Sequence, residues 1–207
     1  KISTGKKENK FGVNEKTFYE IINYCKNSKN INLNCLSVHI GSQILDHKPY
    51  EKMLKVVDNI LKKTVAMFMT EIINHCLTEE INDDELFDFL ESQIILLEKQ
   101  PISVLFPCIF LIKLTKFLGV SPQGRYDEDT PYFSIEDGMF VGESLNYTAS
   151  KITSQMISNV INGDNLGSNS NGNIRRDALA CIVKYYQFHI IRDKKVKSID
   201  ILSEILN

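Results

Sequence analysis

The stretch from residue 102 to residue 140 reads ISVLFPCIFLIKLTKFLGVSPQGRYDEDTPYFSIEDGMF. It begins with a run that is apolar on nearly every side and ends in a turn-rich segment. Between Ile102 and Ile112 only Ser103 and Pro107 are not hydrophobic. The run is well short of the roughly 20 apolar residues that cross a bilayer. A helix that is hydrophobic all round is buried in a core, so we predict a central buried helix here.

This predicted helix has recognisable ends and needs partners. Pro101 is expected near its first turn and Gly119 at its end, after Lys113 and Lys116 have interrupted the apolar run. A helix buried on several sides requires amphipathic neighbours. Apolar residues at helical spacing predict these neighbours, and we expect the following side chains to face inward: Phe18, Ile21, Ile22 and Cys25; Tyr50, Met53, Leu54, Val57, Ile60 and Leu61; Val65, Met69, Ile72, Ile73 and Cys76; Leu86, Phe89, Leu90, Ile94 and Leu97; Ile152, Ile157, Val160 and Ile161; Ile199, Leu202, Ile205 and Leu206.

Helix ends are predicted from capping residues. Asn14, the segment 82–84 (Asn-Asp-Asp) and Ser198 are each positioned to cap the helix that follows. Pro49 is expected to open another helix. A further helix is predicted over residues 174–190. The glycine- and asparagine-rich segment 163–173 is predicted to be a flexible loop, since it contains little that could pack.

Residues 1–63 differ from the rest in charge and in rhythm. They carry 12 lysines and 6 acidic residues, a net +6, whereas residues 64–207 carry 12 basic and 20 acidic residues, a net −8. Predicted strands at 2–4 and 35–40 alternate with helices, as in a βα-barrel or another α/β fold. No such unit follows residue 63. We predict a short α/β fragment over 1–63 and a mainly α helical bundle over 64–207.

The cysteines indicate a reducing compartment. There are five, at positions 25, 35, 76, 108 and 181, and no pair has the CxxC spacing of a zinc or redox site. We expect reduced, mostly buried thiols and no bound metal. The sequence shows no signal peptide or spanning segment, so a cytoplasmic location is predicted.

Three short motifs relate residues 1–63 to a known enzyme family. The segments ISTG (2–5), KFG (10–12) and HIGSQ (39–43) resemble diaminopimelate decarboxylase, a pyridoxal-phosphate enzyme of the alanine-racemase-like barrel group. The resemblance implies that His39 packs on the cofactor ring and that Ser42 lies near the cofactor phosphate. In that family the Schiff-base lysine lies upstream of the matching region, and the later phosphate-loop, Glu-Pro-Gly and Cys-Glu-Ser segments have no counterpart after Lys63. Two of eight βα units cannot close a barrel, so we expect no decarboxylase activity and no cofactor.

A second resemblance covers residues from about 64 onward. The segments VAMFMTEII (65–73), DDELFDFLES (83–92), FLIKLTKFLGVSPQG (110–124), TPYFSIEDGMF (130–140), RRDALACIVKYYQFHI (175–190) and VKSIDILSEIL (196–206) resemble, in order, the C-terminal helical region of RecO, the recombination mediator of bacterial DNA repair. The resemblance implies a non-enzymatic role and two protein partners, RecR and the acidic tail of the single-stranded DNA-binding protein. Many members bind zinc through four cysteines after the central helix. Residues 119–142 contain no cysteine, so a zinc-free member is expected.

Candidate binding residues are concentrated near the end of the chain. The basic side chains considered are Arg175, Arg176, Lys184, Arg192, Lys194, Lys195 and Lys197. Tyr185, Tyr186, Phe188 and His189 lie among them, and cations with aromatic faces can bind single-stranded DNA. The alternative is that Tyr186 and Phe188 pack in the bundle while the lysines form an ordinary solvated face. Both interpretations stay open at this point.

The two resemblances together predict a chimera joined near residues 62–64. Its expected function is that of a DNA repair and recombination module that docks protein partners. Single-stranded DNA is a second candidate ligand. The alternative hypothesis is a non-functional or residual fragment of a pyridoxal-phosphate decarboxylase of lysine biosynthesis.

Overall fold

The computed structural model describes residues 12–28, 31, 38, 47–77, 83–164 and 171–205. Within these residues the chain is mainly helical, with one small antiparallel sheet, which confirms the predicted fold class for the larger part of the chain. The elements are α1 (Glu15–Asn27), α2 (Lys48–Cys76), α3 (Asp84–Lys99), α4 (Phe106–Phe117), β1 (Tyr132–Ser134), β2 (Met139–Val141), α5 (Lys151–Asn162), α6 (Gly172–Tyr186), a π-helical turn (Gln187–Ile191) and α7 (Ser198–Ile205).

The predicted central helix is α4. Its buried residues cover most of the helix circumference, leaving one face with the exposed Lys113 and Lys116, and Phe110 and Leu114 are 0% and 1% exposed. The predicted start was wrong: the helix begins at Phe106, with Pro107 in its first turn, and not near Pro101. Proline has no N–H to donate and suits a first turn, so either proline fitted the pattern. The predicted end is confirmed by Gly119, whose φ of +71° is a left-handed conformation that follows the last helical turn.

Two predicted N-caps are confirmed by hydrogen bonds. The Asn14 side chain accepts from the Thr17 N–H at 3.0 Å, and the Asp83 side chain accepts from the Leu86 N–H at 2.9 Å. These bonds satisfy N–H groups that the first helical turn leaves without an intrahelical partner. Pro49 also lies in the first turn of α2, as predicted.

Helix α2 runs without interruption for 29 residues and crosses the predicted junction. Its second half is buried, with Val65 and Ile72 both 0% exposed. The first half was expected to face inward as well, but Tyr50 and Leu54 are 47% and 60% exposed. Lys62, Glu71 and His75, all from residue 62 onward, tie α2 to other parts of the chain by hydrogen bonds.

Helix α5 buries hydroxyl groups as well as apolar side chains. The Ser154 hydroxyl donates to the Ala149 carbonyl at 3.3 Å and accepts from the Phe133 N–H at 2.8 Å. The Ser158 Oγ accepts from the Tyr126 N–H at 2.9 Å. Because these serines hold the backbone of the neighbouring segment, they occupy the inward face. Ile152 was predicted to be inside and is 60% exposed, so that prediction was wrong.

Two further inward predictions fail for a similar reason. Ile94 in α3 is 56% exposed and Ile21 in α1 is 36% exposed. In each helix only part of the apolar stripe meets a neighbour: Leu86 and Leu97 are buried in α3, and Ile22 is buried in α1. Scattered exposed apolar side chains are normal in folded proteins, so spacing alone overstates the inner face.

The segment predicted to be irregular contains the hairpin of β1 and β2, paired from Tyr132–Val141 to Ser134–Met139. Its Phe133 ring packs against Phe140 and Tyr185, with ring centroids 5.3 and 6.0 Å apart. Gly138 turns the chain with a φ of +66°. The hairpin therefore packs against α6 through aromatic side chains.

Helix α6 and the π-helical turn occupy the position of the single helix predicted over 174–190. The turn ends at Ile191, and the next residue, Arg192, has a φ of +48°. Residues 172 and 173, expected in the loop, belong to α6. The strands predicted at 2–4 and over most of 35–40 lie outside the described residues. No helix in the described part of the chain is both long and apolar enough to span a membrane.

Candidate partner-binding surfaces

The predicted basic residues fall into two separated groups. Arg175 and Arg176 lie in the first turns of α6 and are half-buried. The Arg176 guanidinium donates to the Asn173 Oδ1 at 2.8 Å. Both arginines border a crevice of about 10 Å³ beside Val104 and Pro107. A crevice of this size is too small for a side chain of a partner, so the arginine pair provides positive charge without an apolar pocket.

The second group is the basic turn, which we define as residues 192–197. The side chains of Arg192, Lys194, Lys195 and Lys197 are exposed there. The turn is held against α2 at two points: the Lys194 Nζ donates to the His75 carbonyl at 3.1 Å, and the Lys197 N–H donates to a Glu71 carboxylate oxygen at 2.8 Å.

The two groups do not form one surface. Arg192 is 16 positions after Arg176 in the sequence, and a helical rise of 1.5 Å per residue puts roughly 24 Å between them. Lys184 lies between them on α6 and is exposed. The structure thus brings together the four cations of the basic turn and leaves the arginine pair apart.

The interleaved aromatic residues have different roles. Tyr185 and Tyr186 are buried, and their hydroxyls donate at 2.6 Å to the carbonyls of Val120 and Leu111. The interpretation that Tyr186 packs in the bundle agrees with this geometry. Phe188 instead is 51% exposed, and its ring lies 6.4 Å from that of Tyr147, which is 55% exposed. Phe188 is therefore a surface aromatic residue.

A further concavity of the helical part lies elsewhere. We call it the α3–α5 groove; it is about 450 Å³ in volume and is bounded by the end of α3, the following loop, α4 and the end of α5. Its walls are mostly apolar. Lys113 and Lys116 are its only ionisable lining residues, and both are exposed. The lining residues are Gln93, Leu96, Leu97, Gln100, Pro101, Ile102, Ser103, Phe106, Ile109, Ile112, Lys113, Lys116, Val160, Ile161, Asn162 and Gly163.

Sequence reasoning missed this groove. Lys113 and Lys116 were treated as interruptions of the central helix, although they are three residues apart and project as neighbours on one helix face. The sequence did contain one indication of a binding surface: two lysines on one face of the most buried helix, with no acidic residue close to them in the sequence. The walls come from three other segments, so the groove itself could not be found from α4 alone.

A second, shallower depression of about 690 Å³ lies between α1 and α2. It contains Lys63, Glu71 and His75, and so has both signs of charge. The Glu71 carboxylate already accepts the N–H groups of Lys197 and Ser198. Its electrostatics thus favour neither an anion nor a cation.

The described residues were compared with the requirements of a metal site and of an activated thiol. No group of three His, Cys, Asp or Glu residues there is arranged to hold a metal ion. Burial raises the pKa of the Cys108 and Cys181 thiols to about 12, so neither is an activated nucleophile. His39 and Ser42, which the decarboxylase resemblance implicates in cofactor binding, lie outside the described residues.

The fold and surfaces described above define a helical domain with a small hairpin, an apolar groove and a separate basic turn. A family model described as the C terminus of recombination protein O matches residues 57–198. The chain belongs to this family. A second model, the pyridoxal-binding domain of pyridoxal-dependent decarboxylases, matches residues 1–73. The predicted double resemblance is confirmed, and the two matches overlap within α2.

Individual relatives show the same division. A DNA repair protein RecO of Flavobacterium johnsoniae is 29% identical over 151 residues, which are 72% of this chain and 63% of that protein. A RecO of Christiangramia forsetii is 29% identical over 167 residues, 75% of this chain and 70% of that protein. A diaminopimelate decarboxylase of Helicobacter pylori is 42% identical over 66 residues, 32% of this chain and 16% of that protein. No solved structure matches the chain significantly.

Proposed function

We propose that the chain is a non-enzymatic module of DNA recombination and repair that works by holding a protein partner. Membership of the RecO C-terminal family supports this, as do relatives named DNA repair protein RecO. The chain spans 63% of the length of the first of these relatives, so the proposal concerns the helical part. Its action would be to bring other repair proteins to DNA.

The observation that carries the proposal is the α3–α5 groove. Its volume lies within the range of protein pockets that bind ligands, and its walls are mostly apolar. Lys113 and Lys116 make its rim positive, with no acid among the lining residues. An acidic peptide that carries an apolar side chain fits both features. The acidic tail of a single-stranded DNA-binding protein is the partner we propose.

The two parts of such a peptide would contribute differently. Burial of an apolar side chain in the groove supplies most of the affinity, at about 25 cal/mol per Å² of apolar surface removed from water. The lysines pair with the peptide carboxylates and speed the encounter. Because both lysines are exposed, their contribution is screened by salt.

A fluorescent acidic-tail peptide titrated with the full chain tests the proposal. We expect binding that weakens with salt and falls by at least about tenfold in K113E/K116E, since two attractions become repulsions. The control is K52E/K55E, which makes the same charge change at the same spacing on exposed α2 positions away from the groove. The two variants should differ.

The arginine pair allows a direct comparison of surfaces. If R175A/R176A abolishes binding while K113E/K116E leaves it intact, the peptide binds at α6 and the groove proposal is wrong. No binding at low salt would remove peptide docking altogether. RecR stays a predicted partner of the chain.

Binding of single-stranded DNA is a second candidate function. Phe188 lies in the π-helical turn that precedes the basic turn, and its exposed ring is near the exposed ring of Tyr147. Bases can stack on such rings. We propose that R192A/K195A weakens binding of a labelled oligonucleotide and lowers its salt dependence. K113E/K116E tests the groove in the same assay and should have the smaller effect.

A further inference from the structure

Two helices lie at or beyond the ends of the RecO family match. Helix α1 precedes residue 57, where the match begins, and α7 starts at residue 198, where it ends. They are about 170 residues apart in the chain, yet they pack against each other. The contact thus joins the decarboxylase-like part to the last helix of the RecO-like part.

Each of the three helices near this contact carries a buried isoleucine. Ile22 of α1, Ile60 of α2 and Ile201 of α7 are 2%, 4% and 5% exposed, although none belongs to the main core cluster around α4. Helix α7 packs against both α1 and α2. We propose that these side chains form a small second core. Helices α1 and α7 and Ile60 of α2 then hold the first and last helices together, an arrangement that we call the terminal clasp.

Polar contacts hold the clasp at both ends. At one end the Glu71 carboxylate of α2 accepts from the N–H groups of Lys197 and Ser198, both at 2.8 Å, and from the Ser198 hydroxyl. These bonds satisfy N–H groups at the start of α7. At the other end the Lys63 ammonium lies 4.5 Å from the centroid of the Tyr19 ring. Helix α1 is thereby fixed to α2 next to the predicted junction.

Neither terminal helix is long enough to be stable alone. Helix α7 has 8 residues and α1 has 13, while isolated helices shorter than about 12–15 residues are marginal in water. Leu202 of α7 is 0% exposed and belongs to the main core, so α7 has one face on each core. Loss of the α1 contact should loosen α7 first.

The clasp has a consequence for the binding surfaces. The basic turn leads directly into α7, and Glu71 binds both the end of the turn and the start of the helix. Release of α7 therefore weakens one of the two points at which the basic turn is held against α2, and the bond from Lys194 to the His75 carbonyl remains. In this way the decarboxylase-like segment helps to hold the α7 end of the basic turn, whether or not the peptide-docking proposal is correct.

Amide hydrogen exchange on the full chain tests the clasp, with Ile22→Asp as the perturbing variant. We expect exchange in residues 198–205 to become at least about tenfold faster while residues 106–117 of α4 stay protected. The control is Ile21→Asp, which puts the same charge on the adjacent, more exposed position. It should change exchange in α7 by less than about twofold. If Ile22→Asp does not fold, Ile22→Ala replaces it with the same expectations.

Two results would overturn the proposal. One is unchanged protection of α7 when Ile22 is replaced. The other is acceleration of α7 and α4 by the same factor, because it would show a single core with no separate clasp. Peptide binding at the α3–α5 groove should persist in the Ile22 variants, so failure of the docking proposal remains distinguishable from failure of the clasp.

Discussion

Replacement of Phe110 by alanine tests the role of α4 as the centre of the fold. The Phe110 ring is 0% exposed and stacks on Phe89, with centroids 6.0 Å apart and planes inclined by 8°. Truncation of a buried phenylalanine costs about 3–5 kcal/mol, because apolar contact is lost and a cavity remains. For a chain of this size 1 kcal/mol corresponds to a Tm shift of about 2–4 °C, so we expect a decrease of roughly 6–20 °C.

Phe87→Ala is the matched control for this experiment. Phe87 lies on α3 and is 65% exposed, so its truncation should change the free energy of unfolding by no more than about 0.5 kcal/mol. Both variants are compared with the parent chain by denaturant unfolding followed by circular dichroism. Similar losses at the two positions, or a Phe110→Ala effect below about 1 kcal/mol, would refute the assignment of α4 as the packed centre.

Three other predictions concern the hairpin, the thiols and the cofactor. Gly138→Ala should lower the free energy of unfolding by about 2–4 kcal/mol, because the φ of Gly138 is left-handed and the added Cβ would lie 2.9 Å from the Tyr185 hydroxyl. The control is Gly163→Ala, whose Cβ meets nothing within 4 Å; it should cost about 1–2 kcal/mol in the same unfolding assay. Burial raises the pKa of Cys108 and Cys181 from 9.0 to about 12, so these thiols lose their protons at lower pH in the unfolded chain than in the folded chain. The free energy of unfolding should therefore fall between pH 9 and pH 12. The fall should be smaller in C108A/C181A, and an equal fall in that variant would contradict the prediction. Addition of pyridoxal phosphate should produce no absorbance band of lysine-bound cofactor, and a saturable band would support the decarboxylase alternative instead.

Features that depend on a few neighbouring residues could be predicted from the sequence. The caps at Asn14 and Asp83 each join a side chain to an N–H three residues later, and such local bonds are visible in the residue order. The burial of most of α4 was also predictable, because a run that is apolar on nearly every side leaves little surface for water. The end of α4 at Gly119 follows from the conformational freedom of glycine.

Features that depend on tertiary contacts could not be predicted. The inward face of α5 contains Ser154 and Ser158 because a distant segment supplies N–H donors for them, and this leaves Ile152 outside. The α3–α5 groove needs the ends of three helices to meet, so Lys113 and Lys116 seemed only to interrupt an apolar run. The separation of the basic residues into two groups likewise depends on the length of α6.

The groove assignment is tested most directly by methyl NMR of isoleucine residues during titration with the acidic-tail peptide. Groove methyls belong to Ile102, Ile109, Ile112 and Ile161, and clasp methyls to Ile22, Ile60 and Ile201. We expect saturable shifts confined to the first set, which disappear in K113E/K116E. A bound peptide that leaves all four groove methyls unmoved would contradict the proposed function.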